Sequence, residues 1–329
     1  MFSMDSRKKL VWKEGYEMKI CMLEPLAVDR DFIEELAAPL RKQGHECVFC
    51  TEKVDAETAA GLDADVFIIA NSPLSGEVIR ANTRLKFISV AFTGVDHVDL
   101  KTCEERGIRL KNAQGYCTDA VAELTFGHIL ALLRNILPCD EAARHSGTKE
   151  GLVGRELRGK TVGVVGTGAI GVRVAQIASV FGCRVLGYSR SRRQEALEAG
   201  VEYVPLETLL EESDIVTLHT PLTEETRGLI GKEQLARMKP SALLINMARG
   251  AVVDSAALAD ALNEGRLAGA GIDVFETEPP LPAEHPLLRA KNVLLTPHVA
   301  FASEESMKRR AQIVFRNIEE WFASLSETA

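Results

Sequence analysis

The run Thr161-Val-Gly-Val-Val-Gly166-Thr-Gly168-Ala-Ile-Gly171 limits the fold of this chain more than any other stretch. A β-rich pentapeptide passes without a gap into glycines spaced G-x-G-x-x-G, and helix-forming sequence follows. This order reads as strand, tight turn, helix. The first glycine permits the turn, the second lets the backbone approach a pyrophosphate, and the third lets helix and strand pack closely. The helix N-terminus then offers N–H groups and a positive dipole end to phosphates. Gly166, Gly168, Ala169, Ile170 and Gly171 are therefore candidate dinucleotide contacts. A strand that feeds a helix in this way belongs to a parallel sheet covered by helical crossovers.

The rest of the chain repeats that rhythm. Strands are expected at 19–24 (KICMLE), in HECVFC, at 65–70, 86–91 and 108–112, with a helix at 31–43 ended by Gly44. A second series has strands at 161–166, 184–188, 214–219, 242–247, 268–273 and 292–296. These strands are continuously apolar, as strands buried on both faces must be. A long apolar helix is expected from a Thr118–Asp119 start to about Asn135, before Pro138. Another runs over 254–264, from Asp254 as cap to Gly265 as stop. The last segment, 303–323, carries Met307, Ala311, Val314, Phe315, Ile318, Trp321 and Phe322 at helical spacing, a face that needs a partner. The fold class is thus α/β, with two Rossmann-like, doubly wound parallel-sheet domains.

Composition excludes several classes. A net charge of −8 lacks the clustered positive charge that nucleic acid or an anionic membrane requires. The most apolar stretch, about 120–133, contains Glu123 and His128 and is too short to span a bilayer. Residues 1–17 lack the apolar core of a secretory signal and are expected to form a loose extension. Seven cysteines without a regular framework favour free thiols in a reducing cytoplasm. Cys47 and Cys50 are spaced C-x-x-C, but on a strand that spacing puts the thiols on opposite faces, so no metal or redox site is expected.

The strand after the glycine loop bears on which dinucleotide is bound. An acidic residue near its end ordinarily holds the ribose 2′-OH of NAD. Here the strand ends Tyr188-Ser189-Arg190-Ser191-Arg192-Arg193, with no carboxylate before Glu195. Guanidinium groups suit a 2′-phosphate. NADP(H) is the expected preference, around Ser189, Arg190 and Ser191, with NAD(H) as the alternative.

Three further fragments follow strand ends: Asn246-Met247-Ala248-Arg249-Gly250, Asp273-Val-Phe-Glu-Thr-Glu278-Pro-Pro and Thr296-Pro297-His298. Open α/β sheets place ligands there. With GTGAIG, PLTEETRGLI, NMARGAVVD, AGAGIDVFETEPP and NVLLTPHVA in this order, the sequence resembles the D-isomer-specific 2-hydroxyacid dehydrogenases over about residues 18–329. The resemblance implies a catalytic set of Arg249, Glu278 and His298. Arg249 would hold the substrate carboxylate and polarise its 2-oxo group with forked donors. His298 would be general acid for reduction and base for oxidation, since imidazole titrates near neutrality. Glu278 would orient that imidazole and favour its protonated form. Asp273 would meet the nicotinamide amide, and His219, Thr220, Pro221, Thr226, Met247, Ala248 and Ala300 would line the cofactor. Thr93, Gly94 and Val95 would present backbone N–H groups to the substrate carboxylate.

The same resemblance implies a flavodoxin-like substrate domain of residues 1–112 plus 300–329, a dinucleotide domain of 113–299, a site in the cleft between them and a homodimer. The final helix would return to pack on the first domain. The tail VAFAS after His298, with Phe301 shaping the pocket, is more similar to glyoxylate and hydroxypyruvate reductases than to phosphoglycerate dehydrogenases. No C-terminal regulatory domain is expected. The alternative substrate is 3-phosphoglycerate in serine synthesis. An NAD(P)-sensing corepressor is the alternative of another class. Formate oxidation is disfavoured, because that family has Gln and Ser where this chain has Glu278 and Pro297.

Overall fold

Every strand pair forms in parallel register, and each sheet is held together by crossovers rather than hairpins. The computed structural model describes residues 17–50, 52–277 and 280–326. The expected loose extension, residues 1–17, lies outside them apart from Glu17. The chain forms two units, one built from residues up to Tyr116 and from Glu304 onward, the other from Cys117–Ser303.

In the first unit, β1 (Lys19–Met22), β2 (Glu46–Phe49), β3 (Val66–Ile69), β4 (Phe87–Val90) and β5 (Arg109–Asn112) take the order β2-β1-β3-β4-β5. This is the flavodoxin-like order. All four residues of β3 and of β4 are buried, as covering both faces demands. The helix Glu304–Ser326 supplies part of that cover. Its stripe of Met307, Ala311, Val314, Phe315, Ile318 and Trp321 is buried. Trp321 stacks on Phe87 with ring centroids 4.8 Å apart, and the Ser89 hydroxyl donates to the Val314 carbonyl at 3.0 Å. The last helix packs on this sheet.

The second unit holds β6 (Thr161–Val165), β7 (Arg184–Tyr188), β8 (Val201–Tyr203), β9 (Ile215–Leu218), β10 (Leu243–Asn246), β11 (Gly269–Ile272) and β12 (Val293–Leu295). Their order is β12-β11-β10-β9-β6-β7-β8. Chain direction across the sheet reverses between β6 and β9, so this sheet has the dinucleotide-binding topology with its switch point there. Leu186, Leu209, Val216, Leu244, Leu258 and Ile272 belong to the core behind it.

One local expectation changes. Cys117, not a threonine, stands at the N-cap of the helix Thr118–Leu133, and its side chain makes no cap hydrogen bond. That helix ends close to the expected stop, before Pro138, but a further helix follows it. The break is at Asn135, in left-handed conformation at φ 51°, and the second helix, Ile136–Arg144, starts with Pro138 in its first turn. There a missing N–H costs no intrahelical bond. Among the described residues no single helix is long and apolar enough to cross a membrane.

Candidate active site

The sheet order sets the layout of the second unit. The glycine loop leaves β6, the arginine loop leaves its neighbour β7, and the loops bearing Arg249, Asp273 and His298 leave β10, β11 and β12, which are adjacent. Parallel strands end on one edge, and neighbours lie roughly 4.8 Å apart, so these loops line up along that edge.

At the switch point Gly166 has φ +95°, and a Cβ there would stand 2.7 Å from the carbonyl of His219. Only glycine lets these two loops meet so closely. Gly171 packs against the Gly166 carbonyl. Gly168 is the N-cap of the helix Ala169–Val180, no side chain caps that helix, and open space lies where a Cβ would point. A helix end with unsatisfied first-turn N–H groups beside open space fits a dinucleotide pyrophosphate.

The neighbouring loops are internally braced. His219 Nε2 lies 2.8 Å from the Thr217 hydroxyl, and burial pushes its pKa down to about 3, so it is neutral and no acid–base group at ordinary pH. Thr226 Oγ1 donates to the Pro221 carbonyl and accepts from the Thr223 N–H, both at 2.7 Å. Ser189 is half-buried, and Arg190, Ser191, Arg192 and Arg193 are exposed. Tyr203, which the sequence reading passed over, joins the two cofactor loops. Its hydroxyl lies 2.7 Å from Thr167 Oγ1 and accepts from the Arg193 N–H at 3.1 Å, and Arg192 sits over its ring at 5.7 Å.

Toward the other end, buried Asn246 braces the Arg249 loop. Its Oδ1 accepts from Ala248 N at 3.0 Å and its Nδ2 donates to Arg249 O at 3.0 Å. Met247 and Ala248 are buried, and half-buried Arg249 gives one guanidinium N–H to the Ala248 carbonyl at 2.8 Å. Asp273 is fully buried at the end of β11. Its Oδ1 accepts from Thr296 Oγ1 at 2.6 Å and from Val299 N at 2.9 Å, and its Oδ2 accepts from Ala300 N at 2.9 Å. The His298 N–H donates to the Asp273 carbonyl at 2.8 Å. His298 itself is left-handed at φ +55°, half-buried, with its ring edge-on to Phe301 at 5.4 Å.

Glu278 lies outside the described residues. Its neighbour Glu276 lies 3.2 Å from His285 Nε2. Burial raises the Glu276 pKa, but hydrogen bonds from Ser255 and His285 outweigh it and leave the carboxyl below its usual range. In the first unit, Thr93, Gly94 and Val95 follow β4, and the Asn112 side chain donates to the Thr93 carbonyl at 2.6 Å. Among the described residues no group of three His, Cys, Asp or Glu could hold a metal ion. Cys47 and Cys50 are free thiols whose pKa values burial raises, which disfavours thiolate chemistry.

A glycine-loop dinucleotide cradle, with Arg249, Asp273 and His298 on loops along the same edge of the sheet, fits a nicotinamide-dependent oxidoreductase of small acids. The family of D-isomer specific 2-hydroxyacid dehydrogenases, through its NAD binding domain, matches residues 126–300. A glyoxylate reductase of Korarchaeum cryptofilum is 44% identical over 274 residues, 82% of either chain. A crystal structure of D-lactate dehydrogenase from Aquifex aeolicus, complexed with NAD and lactic acid, has a TM-score of 0.83 at 31% identity and covers 94% of this chain and 97% of its own. An acyclic imino acid reductase in complex with NADPH and D-Arg has a TM-score of 0.84 at 29% identity, covering 93% and 98%. This chain belongs to the D-isomer-specific 2-hydroxyacid dehydrogenase family.

Proposed function

We propose that this enzyme reduces glyoxylate or hydroxypyruvate with NADPH as the preferred donor. The observation that carries the reading is the alignment of Arg249, Asp273 and His298 on three adjacent strand ends, on the same sheet edge as the glycine loop. The glyoxylate reductase relative supports the substrate class. Reduced nicotinamide supplies a hydride to substrate C2 when bound. The residues of the chain do the rest. Arg249 holds the carboxylate with its planar fork and draws electron density from the 2-oxo group. His298 gives a proton to the oxygen as the carbonyl becomes an alcohol, and takes it back in the reverse direction. Asp273 keeps the His298 loop in place and has an Oδ2 lone pair for a carboxamide N–H. Glu278 orients the imidazole. Thr93, Gly94 and Val95 contribute substrate contacts from the first unit, which serves as the substrate domain.

The NADPH preference rests on Ser189 in the place of an acid and on the arginines that follow it. Arg190 also reaches Glu225 electrostatically, which helps hold that carboxyl below its usual range after its bond to Thr223. Replacing Arg190 and Arg192 together by alanine is expected to raise KM for NADPH about tenfold or more while moving that for NADH little. Equal losses for both cofactors would make these arginines plain surface charges. We further propose a homodimer in a reducing cytoplasm. Exposed Ile136, Leu137, Val180 and Phe181 support the first, and seven cysteines without a regular framework in the sequence the second.

The reading is tested by initial rates at 340 nm with glyoxylate, hydroxypyruvate, 3-phosphohydroxypyruvate, pyruvate and 2-oxoisocaproate, each with NADPH and NADH. Fastest turnover on glyoxylate or hydroxypyruvate with NADPH is expected. Turnover with NADH alone would overturn the reading of Ser189. Turnover on none would overturn the reductase.

A further inference from the structure

His128 has no place in the scheme above, yet it lies at the back of the reacting site. It belongs to the helix Thr118–Leu133, an almost wholly apolar element whose residues Phe126, Ile129 and Leu133 are also buried. Its Nε2 lies 3.2 Å from Thr296 Oγ1, whose other partner is Asp273 Oδ1 at 2.6 Å.

Donor chemistry fixes the direction of this chain of bonds. An ionised carboxylate only accepts, so the single hydroxyl hydrogen of Thr296 points at Asp273. The Thr296 oxygen can then only accept from the imidazole, which makes His128 the Nε2–H tautomer. Its Nδ1 is buried and has no hydrogen-bond partner. Burial also pushes the His128 pKa down, against the pull of Asp273, which agrees with a neutral ring. An unpaired buried polar atom destabilises a fold, and a leucine in this helix would avoid it. The sheet makes room for the ring as well: a Cβ on Gly271 would stand 2.7 Å from Nδ1 and 3.0 Å from the His128 Cβ.

What the ring supports is the backbone of the His298 loop. Asp273 binds the N–H groups of Val299 and Ala300, the two residues that follow the left-handed turn at His298, and its carbonyl accepts the His298 N–H. A non-glycine residue keeps such a conformation only where its surroundings over-determine it. We propose that His128 is a positioning residue for the acid–base histidine, acting through Thr296 and Asp273 on the loop that carries His298. This rests on the assignment of His298 made above.

The test uses the full-length enzyme with His128→Phe, which keeps a ring and removes the donor, and His128→Gln, which keeps an N–H donor at similar reach. His128→Phe is expected to lower kcat roughly 10- to 100-fold, the scale of a small misplacement of a reacting group. KM for the oxo acid should change little, because Arg249 is untouched. His128→Gln should restore most of kcat. Equal kcat in His128→Phe and wild type, both measured well below their Tm, overturns the proposal. So does equal loss in the Phe and Gln variants, which would make His128 a matter of shape alone. Should His128→Phe fail to fold, Thr296→Val breaks the same link and should show the same kcat loss; unchanged kcat there overturns the proposal too. Amide exchange of Val299 and Ala300 provides a readout independent of turnover. It should be faster in the Phe or Val variant and near wild type in the Gln variant, and unchanged exchange overturns the proposal. Inactivity of wild type on every acid would instead overturn the reductase reading, and the exchange result would still decide the role of His128.

Discussion

Replacing His298 by alanine is expected to lower kcat by about 10²–10⁴-fold, the range that a positioned acid–base group contributes. Structural collapse is not the expected cause. The contacts that hold this residue's backbone run from its own N–H to the carbonyl of Asp273 and from the next two amides to the Asp273 carboxylate, and alanine keeps all of them. Alanine and histidine both carry a Cβ, so the left-handed φ of +55° is no new conformation for the variant to adopt, although histidine tolerates it somewhat better. The lost contact with the Phe301 ring is partly exposed and modest. NADPH affinity, read by quenching of protein fluorescence, should therefore stay within a few-fold of wild type while steady-state turnover collapses. Turnover near the wild-type rate would remove His298 from the chemistry. Loss of cofactor binding alongside turnover would recast it as a binding residue.

Arg249→Lys should act on substrate capture. Lysine keeps the charge but carries its donors on a compact ammonium rather than in a planar fork. Losing a charge-assisted hydrogen bond costs about 1.5–3 kcal/mol, equivalent to roughly 10- to 100-fold in affinity. KM for the 2-oxo acid should rise on that scale. A smaller fall in kcat should accompany it, because carbonyl polarisation also weakens. The loop itself should survive, since Asn246 bonds the backbone of residues 248 and 249 and not the guanidinium. The check is a pair of saturation curves with the preferred acid at saturating NADPH. An unchanged KM with reduced kcat would move Arg249 from carboxylate clamp to transition-state stabiliser alone.

Much of the architecture was legible before any coordinates because buried parallel strands are apolar on both faces and ligand loops begin where they stop. The glycine loop, the arginine loop and the fragments bearing Arg249, Asp273 and His298 all follow such strands. Shorter elements escaped. The strand Val201–Tyr203 has three residues and only Val201 buried, too little for a period to show. Helices such as Ala56–Ala60 and Leu100–Glu105 announce themselves only through capping carboxylates, Asp55 on the Thr58 N–H at 2.7 Å and Asp99 on the Thr102 N–H at 2.9 Å. Those signals were present but unread. The bond between Thr296 and His128 spans 168 positions, and that between Thr167 and Tyr203 spans 36. No local pattern encodes either one, since both depend on where the sheet brings distant segments.

The chain path of the first unit has a consequence for synthesis. Its sheet is complete by β5, yet the helix that stacks Trp321 on Phe87 and accepts the Ser89 hydroxyl comes from Glu304–Ser326, with 225 positions between Ser89 and Val314. The second unit is one uninterrupted run, Cys117–Ser303, and lies between these two parts. As the polypeptide emerges from the ribosome, the first segment made thus waits longest for its apolar face to be covered. The dinucleotide unit, begun later, can finish first. During that interval Phe87 and its neighbours are the exposed surface on which a nascent-chain chaperone would act.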